Sequence, residues 1–105
     1  MTLTAQDQRQ VAQTIIAQLG GGKFVAMTGS KNFFHLPHGG VLFDIGRNPA
    51  SVTRCIVTLR ADDTYDVVFY KGRGLTIRQY NTFGGVYADS LRSIFENVTG
   101  LLTRL

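Results

Sequence analysis

Cysteine is all but missing from this chain, with Cys55 standing alone among 105 residues. A lone cysteine closes no internal disulfide, which excludes a disulfide-stapled scaffold and favours a reducing compartment. Charge is also sparse, at 17% of residues, and acids are the scarcer sign: seven against eleven lysines and arginines, for a net charge of +4. With 44% hydrophobic residues, this is a globular composition and not a disordered one. No apolar run approaches the ~18 residues that a membrane helix needs. The start, Met1-Thr2-Leu3-Thr4-Ala5-Gln6-Asp7-Gln8, has no basic region and no apolar core of a signal peptide. The expectation is a soluble, cytoplasmic, single domain over residues 1–105 with no membrane partner. A chain of this size buries roughly 60–70% of its unfolded surface, enough for a core without staples.

What is present divides into three stretches. Thr4 to Leu19 reads as a helix, with Val11, Ala12, Ile15, Ile16 and Leu19 on one face and Asp7, Arg9, Gln10, Gln13 and Gln18 opposite. Thr4 is placed to cap it, and Gly20-Gly21-Gly22 to stop it. From Lys23 to about Tyr80 the period falls to two. Phe24 to Thr28 reads as a first strand, followed by a turn or bulge at Gly29-Ser30-Lys31-Asn32. Phe33 to Leu36 and Val41 to Ile45 flank the hairpin loop Pro37-His38-Gly39-Gly40. After a loop at 47–51, Arg54 to Arg60 and Thr64 to Tyr70 pair across Ala61-Asp62-Asp63, and Lys71-Gly72-Arg73-Gly74 leads into a strand from Leu75 to Tyr80. From about Val86 the helical period returns, with Leu91, Ile94, Phe95, Val98, Leu101, Leu102 and Leu105 in one stripe and Gly100 inside it. The sum is an α+β fold: an N-terminal helix, an antiparallel meander of five or six strands, and a C-terminal amphipathic helix packed on one sheet face.

Catalytic and metal chemistry find little support in the spacing. Ser30, Ser51, Ser90 and Ser93 carry no nucleophile-elbow signature, and His35 and His38 are the only histidines. Asp62, Asp63 and Asp66 surround a hairpin, where turn chemistry accounts for the first two. A single His dyad beside one cysteine lacks the second ligand pair of a structural zinc site, and Cys55 alternates with Val57 and Leu59 as a buried thiol does. Gly20-Gly21-Gly22-Lys23 lacks the first glycine and the hydroxyl of a phosphate loop and follows a helix where that loop follows a strand. Thr28-Gly29-Ser30-Lys31 reads more simply as a turn than as an anion nest. No enzyme, no metal and no cofactor is expected.

The informative pattern is basic and aromatic. Between Val67 and Val86 stand Lys71, Arg73 and Arg78 and no acid. Strand alternation puts Cys55, Val57, Leu59, Val67, Phe69, Leu75 and Ile77 on a helix-covered face. Arg54, Thr58, Arg60, Tyr70, Arg78 and Tyr80 then fall on the open face. Guanidiniums neutralise phosphates and tyrosines stack bases, so this face suits a single strand more than a duplex. Arg54, Arg60, Lys71, Arg73 and Arg78 are the expected phosphate contacts, Tyr70 and Tyr80 the stacking residues, and Lys31, on the loop after the first strand, a further contact. A solvated face shows the same residue types. Ile56 and Val68 on that face, and the apolar breadth of Ile15 with Ile16, suit a homodimer or another protein contact equally.

Several segments resemble a family of small phage and prophage proteins to which no activity is assigned. They are Lys23-Phe24-Val25-Ala26-Met27-Thr28-Gly29-Ser30-Lys31-Asn32-Phe33, Asp63-Thr64-Tyr65-Asp66, Gly85-Val86-Tyr87-Ala88-Asp89 and Thr99-Gly100-Leu101. The resemblance implies a mobile-element origin and a host-cytoplasm location, with no activity attached. The order of elements is similar to that of Whirly-type single-strand binders, an analogy of layout alone. The expected function is a non-enzymatic nucleic-acid binder with little sequence preference. The alternative is a protein-interaction module, a host-factor inhibitor or assembly accessory, that uses the same face.

Overall fold

The Thr4 hydroxyl accepts the Asp7 amide at 3.2 Å and opens α1, Ala5–Leu19, as the capping pattern requires. The computed structural model describes residues 3–103. Ala12, Ile15 and Leu19 are buried along α1, with Val11 and Ile16 beside them. Gly20 ends this helix at φ 130, but the chain does not enter the sheet there. It winds into a second helix, α2, Gly21–Thr28, which corrects the expectation of a first strand over Phe24 to Thr28. Phe24 and Thr28, four apart, are its buried residues, the spacing of a helix face and not of a strand. Gly29, left-handed at φ 64, closes it.

The sheet follows as β1 Lys31–His35, β2 Gly40–Asp44, β3 Val52–Leu59, β4 Tyr65–Lys71 and β5 Arg78–Val86, all antiparallel and in sequential order. Lys31 is therefore the first residue of an edge strand, not part of a loop. A 3-10 turn at Gly74–Thr76 occupies the expected start of the last strand, so Leu75 is fully exposed and not in the core. The strand that does form there runs on to Val86. A second 3-10 turn, Ala88–Ser90, leads into α3, Leu91–Thr99. Gly100, left-handed at φ 78, ends α3, where the sequence pattern continued to Leu105 with a bend or pause at that glycine. Leu102 is exposed, and Leu105, the last residue of the expected stripe, lies outside the described residues.

The fold is α+β in two layers, with the helices on one face of the sheet. Phe24 of α2, Phe43 of β2, Phe69 of β4 and Phe95 of α3 meet in the core with ring centroids 5.1 to 6.2 Å apart. Burying four such rings supplies a large share of the apolar core. Val41, Cys55, Val57, Val67 and Val86 complete the covered face, and the Tyr65 hydroxyl donates to Gln18 Oε1 of α1 at 2.8 Å. No helix among the described residues is long and apolar enough to cross a membrane.

Candidate nucleic-acid interface

The meander brings five strand ends together. At the end where β1, β3 and β5 start and β2 and β4 finish stand Lys31, Arg54, Lys71 and Arg78, with Arg47 and Arg73 on the two connecting loops. One carboxylate, Asp44, sits among these six cations on the sheet. Arg54 Nε donates to its Oδ1 at 3.2 Å and Asn32 Nδ2 to its Oδ2 at 3.0 Å. Burial acts to raise the Asp44 pKa, but those hydrogen bonds and the charges of Arg54 and Arg73 outweigh it, holding the group below its ordinary 3.8. Among the described residues, the guanidiniums of Arg47 and Arg73 form no ion pair.

The tyrosines flank this cluster. Register sets Tyr70 directly opposite Arg54 on the uncovered face and opposite Gln79 of β5. A bulge between Gln79 and Asn81 displaces Tyr80, whose ring lies 3.8 Å beneath the Lys71 ammonium, a cation–π contact. Tyr80 is 45% exposed, so its ring still offers surface for stacking. Lys71 and Arg78 pair with each other and share the register of Phe69, on the helix side of the sheet. Of the expected open-face set, Arg54 and Tyr70 lie on that face, whereas Arg78 shares the side of Lys71 and Phe69 and Tyr80 is displaced by the bulge.

Arg60 does not join them. It lies at the opposite end, after β3, with Nη1 3.1 Å from Asp66 Oδ1 and Nε 3.7 Å from Asp62 Oδ1. The Thr64 hydroxyl and amide hold the Asp62 carboxyl below its ordinary pKa, with Arg60 adding to the effect. That end carries Asp62, Asp63 and Asp66, so the sheet is basic at one end and acidic at the other.

Arg47 escaped the sequence reading because only the strand order sets its loop beside Arg73. Ile56 and Val68, expected on the uncovered face, belong to a longer apolar row, Phe34, Leu42, Ile56, Val68 and Thr82, which pair in register over all five strands. Phe34 is 61% exposed. Alternation placed Ile56 and Val68, but the continuity with Phe34, Leu42 and Thr82 needed the register. The Thr28 to Lys31 turn is filled by its own side chains, with Thr28 Oγ1 2.6 Å from Ser30 Oγ. His35 Nδ1 lies 2.8 Å from Gln8 Oε1, and no group of three metal-ligating side chains forms among the described residues.

Neither protein-family models, nor curated proteins, nor solved structures include any that the chain matches.

Proposed function

We propose that this is a non-enzymatic nucleic-acid-binding protein of phage type, acting on single strands with little sequence preference in the host cytoplasm. The observation that carries the reading is the gathering of six cations and two tyrosines at one end of the sheet around one carboxylate. Guanidinium and ammonium groups at that density attract a polyanion whatever its sequence. The strand runs across the end of the sheet, with Arg47, Arg54, Arg73 and Arg78 on its phosphates and Tyr70 and Tyr80 against its bases, each stack contributing about 1–3 kcal/mol. Lys31 and Lys71 extend the contact to either side. Arg60, held by two carboxylates at the far end, takes no part.

The test is fluorescence anisotropy with a labelled single strand of about 30 nucleotides and its duplex, over a range of salt. Four to six phosphate contacts give a log–log slope of about −3 to −4 on a single strand. Tyr80→Ala weakens binding and leaves the slope in place. Failure of both nucleic acids to bind at low salt overturns the reading.

A second reading, a protein-contact module, rests on the apolar row. Four partly exposed apolar side chains in register make a surface that a protein partner would dry. Binding through that row is insensitive to salt and lost in Ile56→Asp, which separates it from binding at the basic end.

A further inference from the structure

Two adjoining recesses open at the basic end, of about 220 and 230 Å³, and Arg73 and Thr53 line both. The first is bounded by the loop after β2. Asn48 fixes that loop from within: its Nδ2 donates to the carbonyls of Gly46 and Val52 at 2.9 and 2.7 Å, and its Oδ1 accepts the Val52 amide at 3.0 Å. The Gly46 amide donates to the Thr28 carbonyl at 3.1 Å, tying the loop to the end of α2. Ser51 is held at φ 59, a left-handed conformation that a non-glycine residue adopts only under constraint. The opposite wall is fixed as well. Thr53 Oγ1 donates to the Gly72 carbonyl at 2.7 Å, and the Arg73 amide donates to Thr76 Oγ1 at 3.2 Å.

These bonds leave particular donors over. The Asn48 amide and the Thr53 hydroxyl are spent on the backbone, whereas Arg47, Arg73 and Ser51 also line the first recess. Among the described residues, no acidic residue lines it and neither guanidinium is taken up in an ion pair. The second recess holds Asp44, already engaged by Arg54. The first is therefore the one built for an anion. We infer that it is a binding site for a phosphomonoester, gripped between Arg47 and Arg73 with Ser51 as a third donor. A monoester carries close to two charges at neutral pH and three acceptor oxygens, which match two guanidiniums and a hydroxyl better than the single charge of a backbone diester. The second recess continues from the first across Arg73, so a nucleotide attached to that phosphate leads towards Arg54 and Tyr70.

The phosphate has two chemical sources, the terminus of a strand or a free small phosphate. Only the first rests on the function proposed above. Two measurements on the intact protein separate them. The first compares one strand bearing a terminal phosphate with the same strand ending in a hydroxyl. The second follows backbone amide resonances while inorganic phosphate is titrated against chloride at constant ionic strength. A strand-end site gives about five- to tenfold tighter binding of the phosphorylated strand. That preference disappears in Arg73→Ala and Arg47→Ala and survives in Arg60→Ala. A site for free phosphate shows no strand preference, but the amides of Arg47, Ser51 and Arg73 shift saturably with phosphate and not with chloride. Equal affinity for the two strands together with unmoved amides overturns the inference. In that outcome strand binding of any strength leaves the proposed function standing, and its absence removes that function too.

Discussion

Asp44 decides the balance of the basic end, since it is the carboxylate among six cations. Its pKa is depressed in the folded protein, so its stabilising contribution is full above the unfolded value and is lost as pH falls through the folded one. Acid therefore loosens this corner below about pH 4. The expected outcome is that Asp44→Asn flattens the acid limb of the unfolding curve and strengthens single-strand binding severalfold at pH 7. Denaturant melts from pH 2 to 7 and binding isotherms at fixed salt check both halves. Cys55 presents the opposite case, a thiol that burial pushes far up and keeps protonated and unreactive. A thiol reagent should label it only as the protein unfolds, and labelling of the folded protein at neutral pH would contradict its burial. The sequence carried this much, since alternation with Val57 and Leu59 already placed Cys55 inside.

Helix α2 shows why the sequence misled at the scale of elements. Phe24-Val25-Ala26-Met27-Thr28 is a short apolar run, and five such residues satisfy a strand and a helix alike. What selects the helix is tertiary: Phe24 reaches Phe43 and Phe95, at 5.6 and 5.1 Å, only if Thr28 turns inward with it. Phe24→Ala should cost about 3–5 kcal/mol by denaturant unfolding, as a core aromatic does. The start of β5 misled for a related reason. Gly72 and Gly74 both take positive φ and prolong the turn by a 3-10 step, which moves Leu75 out of the strand. The long inner strands β3 and β4 and the helix α3 were legible because their periods extend over more residues than a chance pattern does. A separate consequence concerns the α2 junction. A Cβ at Gly46 would stand 2.6 Å from the Thr28 carbonyl, so Gly46→Ala should destabilise by roughly 2 kcal/mol and perturb the Asn48 loop. A variant as stable as the wild type would show that the junction opens without cost.

Over the whole molecule the strand order separates charge. Lys31, Arg54, Lys71 and Arg78 are dispersed over almost fifty residues of sequence, and an antiparallel meander is what returns them to one edge. Composition gave only the modest net +4 and could not reveal that the carboxylates of Asp62, Asp63 and Asp66 lie at the other end. The same order assembles the apolar row from residues that look unremarkable one strand at a time. Arg54 opposite Tyr70 was legible from alternation; Arg47 beside Arg73 required the topology.

The measurement that tests this account most directly is an amide-resonance map of the protein titrated with a short single strand at low salt. The account predicts saturable shifts at Lys31, Arg47, Arg54 and from Tyr70 to Tyr80, with the Arg60 to Tyr65 hairpin unmoved and the shifts reversed by added salt. Shifts confined to the Phe34, Leu42, Ile56 and Val68 row, or none at a stoichiometric excess of strand, would contradict it.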